Sequence, residues 1–332
     1  MIEVRNLVKR YGTHTAVDHL SFTVKRGQIY GFLGPNGAGK STTMNIMTGY
    51  LGATEGEVVI NGHDILKEPE LAKRSIGYLP EMPPLYLDMK VEEYLQFVAA
   101  LKKLKRHQIG EQVEKVIELT KIQDVRGRLI KNLSKGYKQR VGLAQAIIGF
   151  PEIIILDEPT VGLDPKQIIE IRELIRELSK SHTIILSSHI LAEISEVCDY
   201  IMIISKGKLV ASDTPENLEK QLKGTEQIFL QARASEETVK EILSSVEHIV
   251  HMSVEVLEDG ITRMTVTPEE GFDIREDLFF AFAGAGCPLL ELQKTKATLE
   301  KVFLELTQNE KQDSDTECLE ESEEEETDEG NL

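Results

Sequence analysis

The chain has 332 residues, 41% of them hydrophobic, and a formal net charge of −18 at pH 7. This length accommodates one large domain and a smaller one, and the charge argues against nucleic-acid binding because few basic groups remain to displace counterions. The N-terminus has no signal-peptide pattern, and no apolar run approaches the roughly 18 residues that span a bilayer, so we expect a cytoplasmic protein.

A glycine-rich segment follows two predicted antiparallel strands in residues 2–24 and the apolar stretch 28–33. It matches the phosphate-binding pattern G-x-x-x-x-G-K-[ST] between a strand and a helix. Its glycines allow successive N–H groups to point at one spot, and the helix adds the positive end of its dipole. Lys40 would reach the β- and γ-phosphates of a nucleotide, and the Ser41 hydroxyl would ligate Mg²⁺. The predicted triphosphate site consists of Gly34, Pro35, Asn36, Gly37, Ala38, Gly39, Lys40, Ser41 and Thr42.

The next part of the chain is predicted to be largely helical. Strand candidates at residues 57–60 and 77–79 precede it, and apolar periodicity then favours helices between residues 83 and 150. Near its end, Ser134 has the character of a helix N-cap, and Gly136 would allow another backbone to approach closely. On these residues alone, an ordinary helix cap is the simpler interpretation.

Two adjacent acids, Asp157 and Glu158, end the apolar run that begins at residue 153. A buried strand would deliver them to the carboxyl edge of a sheet, where open α/β folds bind their ligands. Asp157 would hold Mg²⁺, and Glu158 would act as the general base that polarises the attacking water. Paired acids are often only a solvated strand end, but together with Lys40 and Ser41 they favour hydrolysis.

The residues that follow predict a parallel sheet. A helix at residues 166–179, a strand at 183–187 and a helix at 190–197 continue the βα alternation. A closing hairpin is predicted over residues 200–211. The fold class of this part of the chain is therefore α/β.

From residue 227 the pattern changes to strands and helices in the order β-α-β-β-α-β. We expect a small ferredoxin-like α+β domain over residues 225–308, with a last helix at 299–304. Its role is open between regulation, pairing of protomers and stabilisation of the larger domain. Acidic residues dominate the segment after it, which predicts a disordered tail over residues 309–332.

Residues 133–140, which read Leu-Ser-Lys-Gly-Tyr-Lys-Gln-Arg, resemble the LSGGQ signature of the ATP-binding cassette (ABC) ATPases, with Lys135 and Tyr137 replacing the commoner residues. Together with the phosphate-binding loop and the paired acids, this resemblance covers residues 1–220. It implies a P-loop NTPase cassette with a RecA-like core, an antiparallel β subdomain and a helical subdomain at about 83–150.

The resemblance assigns roles to further residues. Tyr11 would stack on adenine, and His189 would be the switch histidine that contacts the γ-phosphate and the attacking water. Asp164 would belong to the loop that crosses the dimer interface, although its position before Pro165 fits a helix N-cap equally well.

Glu81 departs from the family pattern, which has glutamine at this position. A carboxylate is a good hard ligand for Mg²⁺, so Glu81 remains a candidate for binding both metal and nucleotide. Pro80 and Glu81 with the proline-rich turn after them resemble the subgroup that serves ABC-2-type exporters, including those linked to gliding motility.

The resemblance implies an ATP- and Mg²⁺-dependent ATPase subunit that energises a separate membrane permease. Two ABC ATPase subunits, identical or different, would pair head to tail, with each ATP between Lys40 of one and Ser134 of the other. The permease would contact residues 83–90 and hold the subunit at the inner face of the cell membrane. The alternative is a soluble ABC ATPase that acts as a nucleotide-dependent regulator, and co-purification with membranes distinguishes the two.

Overall fold

The computed structural model describes residues 1–221, 227–257, 260–269 and 271–295. The chain divides into two units, Met1–Pro215 and a second that begins at Glu216. The last helix predicted at 299–304 and the acidic tail predicted at 309–332 lie outside the described residues.

Strands and helices alternate along the first unit. The strands are β1 (Ile2–Tyr11), β2 (His14–Val24), β3 (Ile29–Leu33), β4 (Glu55–Ile60), β5 (His63–Asp64), β6 (Ile76–Leu79), β7 (Ile153–Leu156), β8 (Thr183–Ser188), β9 (Tyr200–Ser205) and β10 (Lys208–Asp213). The helices are α1 (Lys40–Met47), α2 (Pro69–Arg74), α3 (Val91–Leu101), α4 (Arg106–Leu119), α5 (Lys135–Ile147), α6 (Pro165–Ser179) and α7 (Leu191–Val197), and α8 (Pro215–Gln221) lies at the boundary between the units.

The central sheet has the strand order β10-β9-β3-β8-β7-β6, and its strands are parallel except for β10. Every residue of β3, β7 and β8 is buried, as expected for parallel strands covered on both faces. Leu33 at the end of β3 pairs with Ser188 at the end of β8. The segments that follow β3, β7 and β8 therefore emerge at the same edge, which explains how distant parts of the sequence form one site.

A second, antiparallel sheet has the order β2-β1-β4-β5. Its apolar face shares one core with the central sheet, in which Leu7, Leu20 and Val58 of this sheet cluster with Phe32 and Met44. Tyr11, the last residue of β1, pairs with His14 across a tight turn. This sheet therefore lies beside the phosphate-binding loop and carries Tyr11 at its end.

The segment between β6 and β7 is helical, as the apolar periodicity predicts. Helix α3 ends at Leu101, and Lys103 then adopts a left-handed φ of 61°. The ammonium of Lys102 donates to the carbonyls of Ala146 (2.9 Å) and Ile148 (2.6 Å) at the end of α5. Burial lowers the pKa of Lys102 to about 8. The ammonium of this lysine therefore satisfies carbonyls at the C-terminus of the helix that begins after Ser134.

The second unit follows the predicted β-α-β-β-α-β order. Its elements are β11 (Gln227–Ala232), α9 (Glu236–Ser244), β12 (Ile249–Val256), β13 (Thr262–Pro268), α10 (Arg275–Gly284) and β14 (Leu289–Thr295). The strands form an antiparallel sheet in the order β12-β13-β11-β14, which is the ferredoxin-like arrangement. Leu243 of α9 and Phe282 of α10 share a core with Ile228, Leu230 and Met264 of the sheet.

Candidate functional site

The phosphate-binding loop ends in a conformation that only glycine adopts without strain. Gly39, the N-cap of α1, has a φ of 97°, and a Cβ there would collide with the carbonyl oxygen of Ala16. The Thr43 hydroxyl donates to the Gly39 carbonyl at 2.8 Å, which fixes the first turn of the helix. The loop therefore presents the N-terminus of α1 to the carboxyl edge of the central sheet, where an anion is stabilised.

Lys40 is 5% exposed and its ammonium is surrounded by acceptors. Its Nζ donates to the carbonyl oxygens of Gly34 (2.7 Å) and Pro35 (3.2 Å), and lies 3.6 Å from Glu158 Oε1. A buried charge is tolerated only with such partners. The loop and the acid after β7 thus hold one cation between them.

The two acids after β7 share a serine from the neighbouring strand. Ser187 Oγ donates to Asp157 Oδ1 at 2.7 Å and accepts from the Glu158 amide at 2.8 Å. Ser41 Oγ donates to the same Asp157 oxygen at 3.2 Å. Glu158 has a φ of 47°, which costs energy in any residue but glycine and must be held by its surroundings. The hydrogen bond from the Glu158 amide to Ser187 helps to hold this conformation. Ser187 had no role among the residues predicted from sequence.

Glu158 is contacted from two sides. His189 Nδ1 lies 3.0 Å from Glu158 Oε2, while Lys40 approaches the other carboxylate oxygen. Glu158 is buried, whereas the His189 side chain is 41% exposed. The histidine therefore connects the buried carboxylate to the open side of the site.

A cavity of about 450 Å³ brings most of the predicted residues together. Three residues that the sequence analysis had not proposed, His14, Ala16 and Val161, also line it. The Tyr11 ring is half exposed at its rim, with the Lys9 ammonium 5.2 Å from the ring centre. The predicted residues that line the cavity are Tyr11, Asn36, Gly37, Ala38, Gly39, Lys40, Ser41, Thr42, Glu81, Glu158 and His189. Asp157 lies behind it and reaches it through Ser41.

Besides Asp157, five predicted residues do not line this cavity. Gly34 and Pro35 accept hydrogen bonds from Lys40 through their carbonyls, and Ser134, Gly136 and Asp164 lie at the beginnings of other helices. Ser134 caps α5 by accepting from the Tyr137 amide at 3.4 Å, and Asp164 caps α6 by accepting from the Gln167 amide at 2.9 Å. Gly136 packs against the side chain of Gln167. For Asp164 the structure therefore shows the helix cap that the sequence had left as one of two alternatives.

A larger apolar groove of about 910 Å³ adjoins the cavity, and Ser41, Glu81 and Asp157 line it too. Its apolar wall is formed by Tyr50, Met82, Tyr86, Phe97 and Leu101, of which Tyr50 and Met82 are 84% and 83% exposed. Glu81 thus lies between the cavity and the groove.

The site offers oxygen ligands for a hard cation. The described residues contain no cluster of three or more His, Cys, Asp or Glu side chains that could hold a metal alone. Mg²⁺ usually takes only one or two protein ligands and completes its shell with water and phosphate oxygens. The Ser41 hydroxyl beside Asp157, with Glu81 on the same groove, fits that requirement.

Comparison with known proteins places the chain in a family. The ABC transporter family model matches residues 17–161. The chain is 35% identical over 309 residues to the bacitracin transport ATP-binding protein BcrA of Bacillus licheniformis, covering 92% of this chain and 97% of that protein. It is 32% identical over 308 residues to the linearmycin resistance ATP-binding protein LnrL of Bacillus subtilis, covering 92% and 98%. A solved structure of an ATP-binding subunit of an ABC transporter superimposes with a TM-score of 0.61 and 32% identity, covering 67% of this chain and 92% of that one.

The chain belongs to the ATP-binding proteins of ABC transporters. It binds ATP, and it is an ATPase of this family. The predicted cassette fold is confirmed, and the matches to the two relatives extend beyond residue 220 into the second unit. No helix among the described residues has the length and apolar character that crossing a membrane requires.

Proposed function

We propose that the protein is the ATP-hydrolysing subunit of an ABC-2-type exporter and drives a separate membrane permease. The observation that carries the proposal is the convergence of Lys40, Glu158 and His189 in one cavity beside the phosphate-binding loop. The names of the relatives, which specify bacitracin transport and linearmycin resistance, support export rather than the regulator alternative.

In this proposal each side chain of the cavity has a task. Lys40 exchanges the Gly34 and Pro35 carbonyls for the β- and γ-phosphate oxygens of ATP. Glu158 accepts the proton of the attacking water, and His189 holds that carboxylate while it contacts the γ-phosphate.

Tyr11 stacks on the adenine ring at the rim of the cavity. Ser41, Asp157 and Glu81 would provide oxygen ligands for Mg²⁺, and the bound ion would neutralise charge on the phosphates. The loop residues 36–42 also enclose the phosphates with their backbone N–H groups.

A second ABC ATPase subunit, either another copy or a related chain, completes the site. Ser134 and Gly136 lie at the N-terminus of α5 and do not line the cavity that contains Lys40. The exposed N-terminus of a helix is suited to bind an anion. We infer that it binds the γ-phosphate held by the partner's loop, so that the two subunits pair head to tail.

The apolar groove is the proposed docking surface for the permease. An exposed apolar surface of this kind, formed by Tyr50, Met82, Tyr86, Phe97 and Leu101, marks an interaction site. Because Glu81 lines both the groove and the cavity, a permease segment docked here would lie beside the nucleotide site. This contact would hold the protein at the cytoplasmic face of the cell membrane.

The test is purification of the affinity-tagged protein from detergent-solubilised membranes of its native host. We expect an integral membrane protein to co-purify, and Tyr86→Asp to release it because a carboxylate is then placed in the apolar groove. His107→Asp, an acidic substitution on the first turn of α4 and outside the groove lining, is the control. Recovery of the tagged protein only from the soluble fraction, without any membrane protein, would favour the regulator and overturn the proposal.

A further inference from the structure

Behind the Glu158–His189 contact lies a buried carboxylate that the proposed chemistry does not use. Glu193, on α7, is 9% exposed. Its Oε2 accepts hydrogen bonds from Thr160 Oγ1 at 2.6 Å and from Ser188 Oγ at 3.1 Å. A carboxylate is costly to bury, so a position that retains one in place of an apolar residue requires an explanation.

The contact with Ser188 fixes the turn that carries His189. Ser188 Oγ donates its proton to Glu193 and accepts the Ile190 amide at 3.0 Å, which closes a turn with His189 at its centre. The Glu193 amide also donates to the Ile190 carbonyl at 3.2 Å. The orientation of the Ser188 hydroxyl, and with it the backbone on both sides of His189, is therefore set by Glu193.

The contact with Thr160 fixes the loop that carries Glu158. Thr160 is two residues beyond Glu158, and its carbonyl accepts the Leu163 amide at 3.2 Å. The Glu158 carbonyl accepts the Val161 amide at 3.2 Å in the same loop. One oxygen of Glu193 thus binds both segments that meet in the 3.0 Å contact between Glu158 and His189.

We propose that Glu193 is a positioning residue for ATP hydrolysis, which sets the distance between His189 and Glu158 through Ser188 and Thr160. The proposal rests on the roles assigned above to Glu158 and His189. Hydrogen bonds to a carboxylate are shorter and stronger than those between neutral groups, which suits a residue that must hold two loops in register. Misplacement of reacting groups by about 1 Å can cost about 100-fold in rate.

Steady-state ATPase assays and ATP titrations on purified variants test this role. We expect Glu193→Ala to lower kcat by about 10- to 100-fold while the affinity for ATP changes by less than about twofold, because Glu193 does not touch the phosphate-binding loop. Glu193→Gln keeps an acceptor oxygen and should recover most of the rate. Glu196→Ala removes an exposed glutamate from the same helix, paired only with Arg172 among the ion pairs of the described residues, and should leave the rate unchanged.

A double-mutant cycle separates positioning from loss of folding. If Glu193 acts through the histidine, Glu193→Ala should slow His189→Ala much less than it slows the parent protein. Two outcomes would overturn the proposal. One is that the losses of kcat in the two single variants add in the double variant, and the other is that kcat falls only in proportion to the fraction of folded protein measured by circular dichroism. If Glu193→Ala does not fold, Ser188→Ala takes its place in the cycle, because it removes one of the two hydrogen bonds that Glu193 accepts.

The same assays distinguish this inference from the proposed function. The turnover of Glu158→Gln and of His189→Ala, measured in the same assays, tests the catalytic roles proposed for these two residues. Full turnover in both would remove the proposed mechanism and this inference together. Loss of turnover in both, with Glu193→Ala as active as the parent, would overturn only the role of Glu193.

Discussion

The Ser187 hydroxyl is the point at which a single substitution disturbs both acids of the site. It is fully buried, accepts the Glu158 amide at 2.8 Å and donates to Asp157 at 2.7 Å. Ser187→Ala leaves a buried amide without this partner and removes one donor from a carboxylate that keeps the Ser41 hydroxyl. A buried polar group left unsatisfied costs about 1–3 kcal/mol, and the lost hydrogen bond to Asp157 adds about 1 kcal/mol, so we expect the free energy of unfolding to fall by about 2–4 kcal/mol.

Urea unfolding measures this change as a lower midpoint with an unchanged slope. Ser187→Thr keeps a hydroxyl and should lose less stability than Ser187→Ala. Ser195→Ala is the matched control, because within the described residues that hydroxyl bonds only the Ala192 carbonyl of its own helix, at 3.4 Å, and we expect a change within about 0.5 kcal/mol.

Turnover provides the second readout of the same variant. The backbone of Glu158 has a φ of 47°, and the Ser187 hydroxyl holds it there by accepting the Glu158 amide. Loss of this hydroxyl should therefore reorient the Glu158 carboxylate and lower kcat by about tenfold or more. If Ser187→Ala unfolds within about 0.5 kcal/mol of the parent and keeps its kcat, the hydroxyl does not hold the two acids and this reasoning is wrong.

Other predictions follow from single side chains. Lys40→Ala should abolish ATP binding at micromolar nucleotide, because it removes the buried cation of the loop, and unchanged affinity in a titration would contradict its placement. Glu81→Gln should retain substantial ATPase activity because an amide oxygen can replace the carboxylate as a ligand, whereas complete loss with intact ATP binding would mean that the charge is required. Burial lowers the pKa of Lys102 from its unfolded value of 10.5 to about 8. The charged ammonium therefore lowers the free energy of unfolding in full below pH 8, and this loss is relieved as the pH rises and the folded protein releases the proton. Stability to urea should therefore rise between pH 8 and pH 10 relative to Lys102→Met, and parallel pH profiles would exclude the shift.

The phosphate-binding loop could be predicted from sequence because its chemistry is local. Its glycines, lysine and serine are consecutive, and the buried strands before Gly34 and Asp157 read as short apolar runs. The end of α3 could not be predicted, because Lys103 takes a left-handed conformation without a glycine to signal it. The same holds for the φ of Glu158, which depends on a strand that follows it in the chain.

The residues that support the site were missed for a related reason. Ser187 on β8 and Glu193 on α7 contact residues in the segment after β7, which lies about thirty positions earlier in the sequence. A serine at the end of a strand and a glutamate on an amphipathic helix have no distinctive pattern on their own. The signal that could have found Ser187 is its place at the end of a strand that neighbours the strand with the two acids.

Size-exclusion chromatography of Glu158→Gln with ATP and Mg²⁺ tests the central proposal, a head-to-tail pair of ATPase subunits, most directly. The substitution removes the proton acceptor but preserves the shape of the side chain, so hydrolysis should fall by about two to four orders of magnitude while ATP still binds. We expect a dimer that requires ATP, and we expect the further change Ser134→Arg to dissolve it by placing bulk and charge at the γ-phosphate contact. A monomer in the Glu158→Gln sample, or an equally stable dimer in the double variant, would contradict the account.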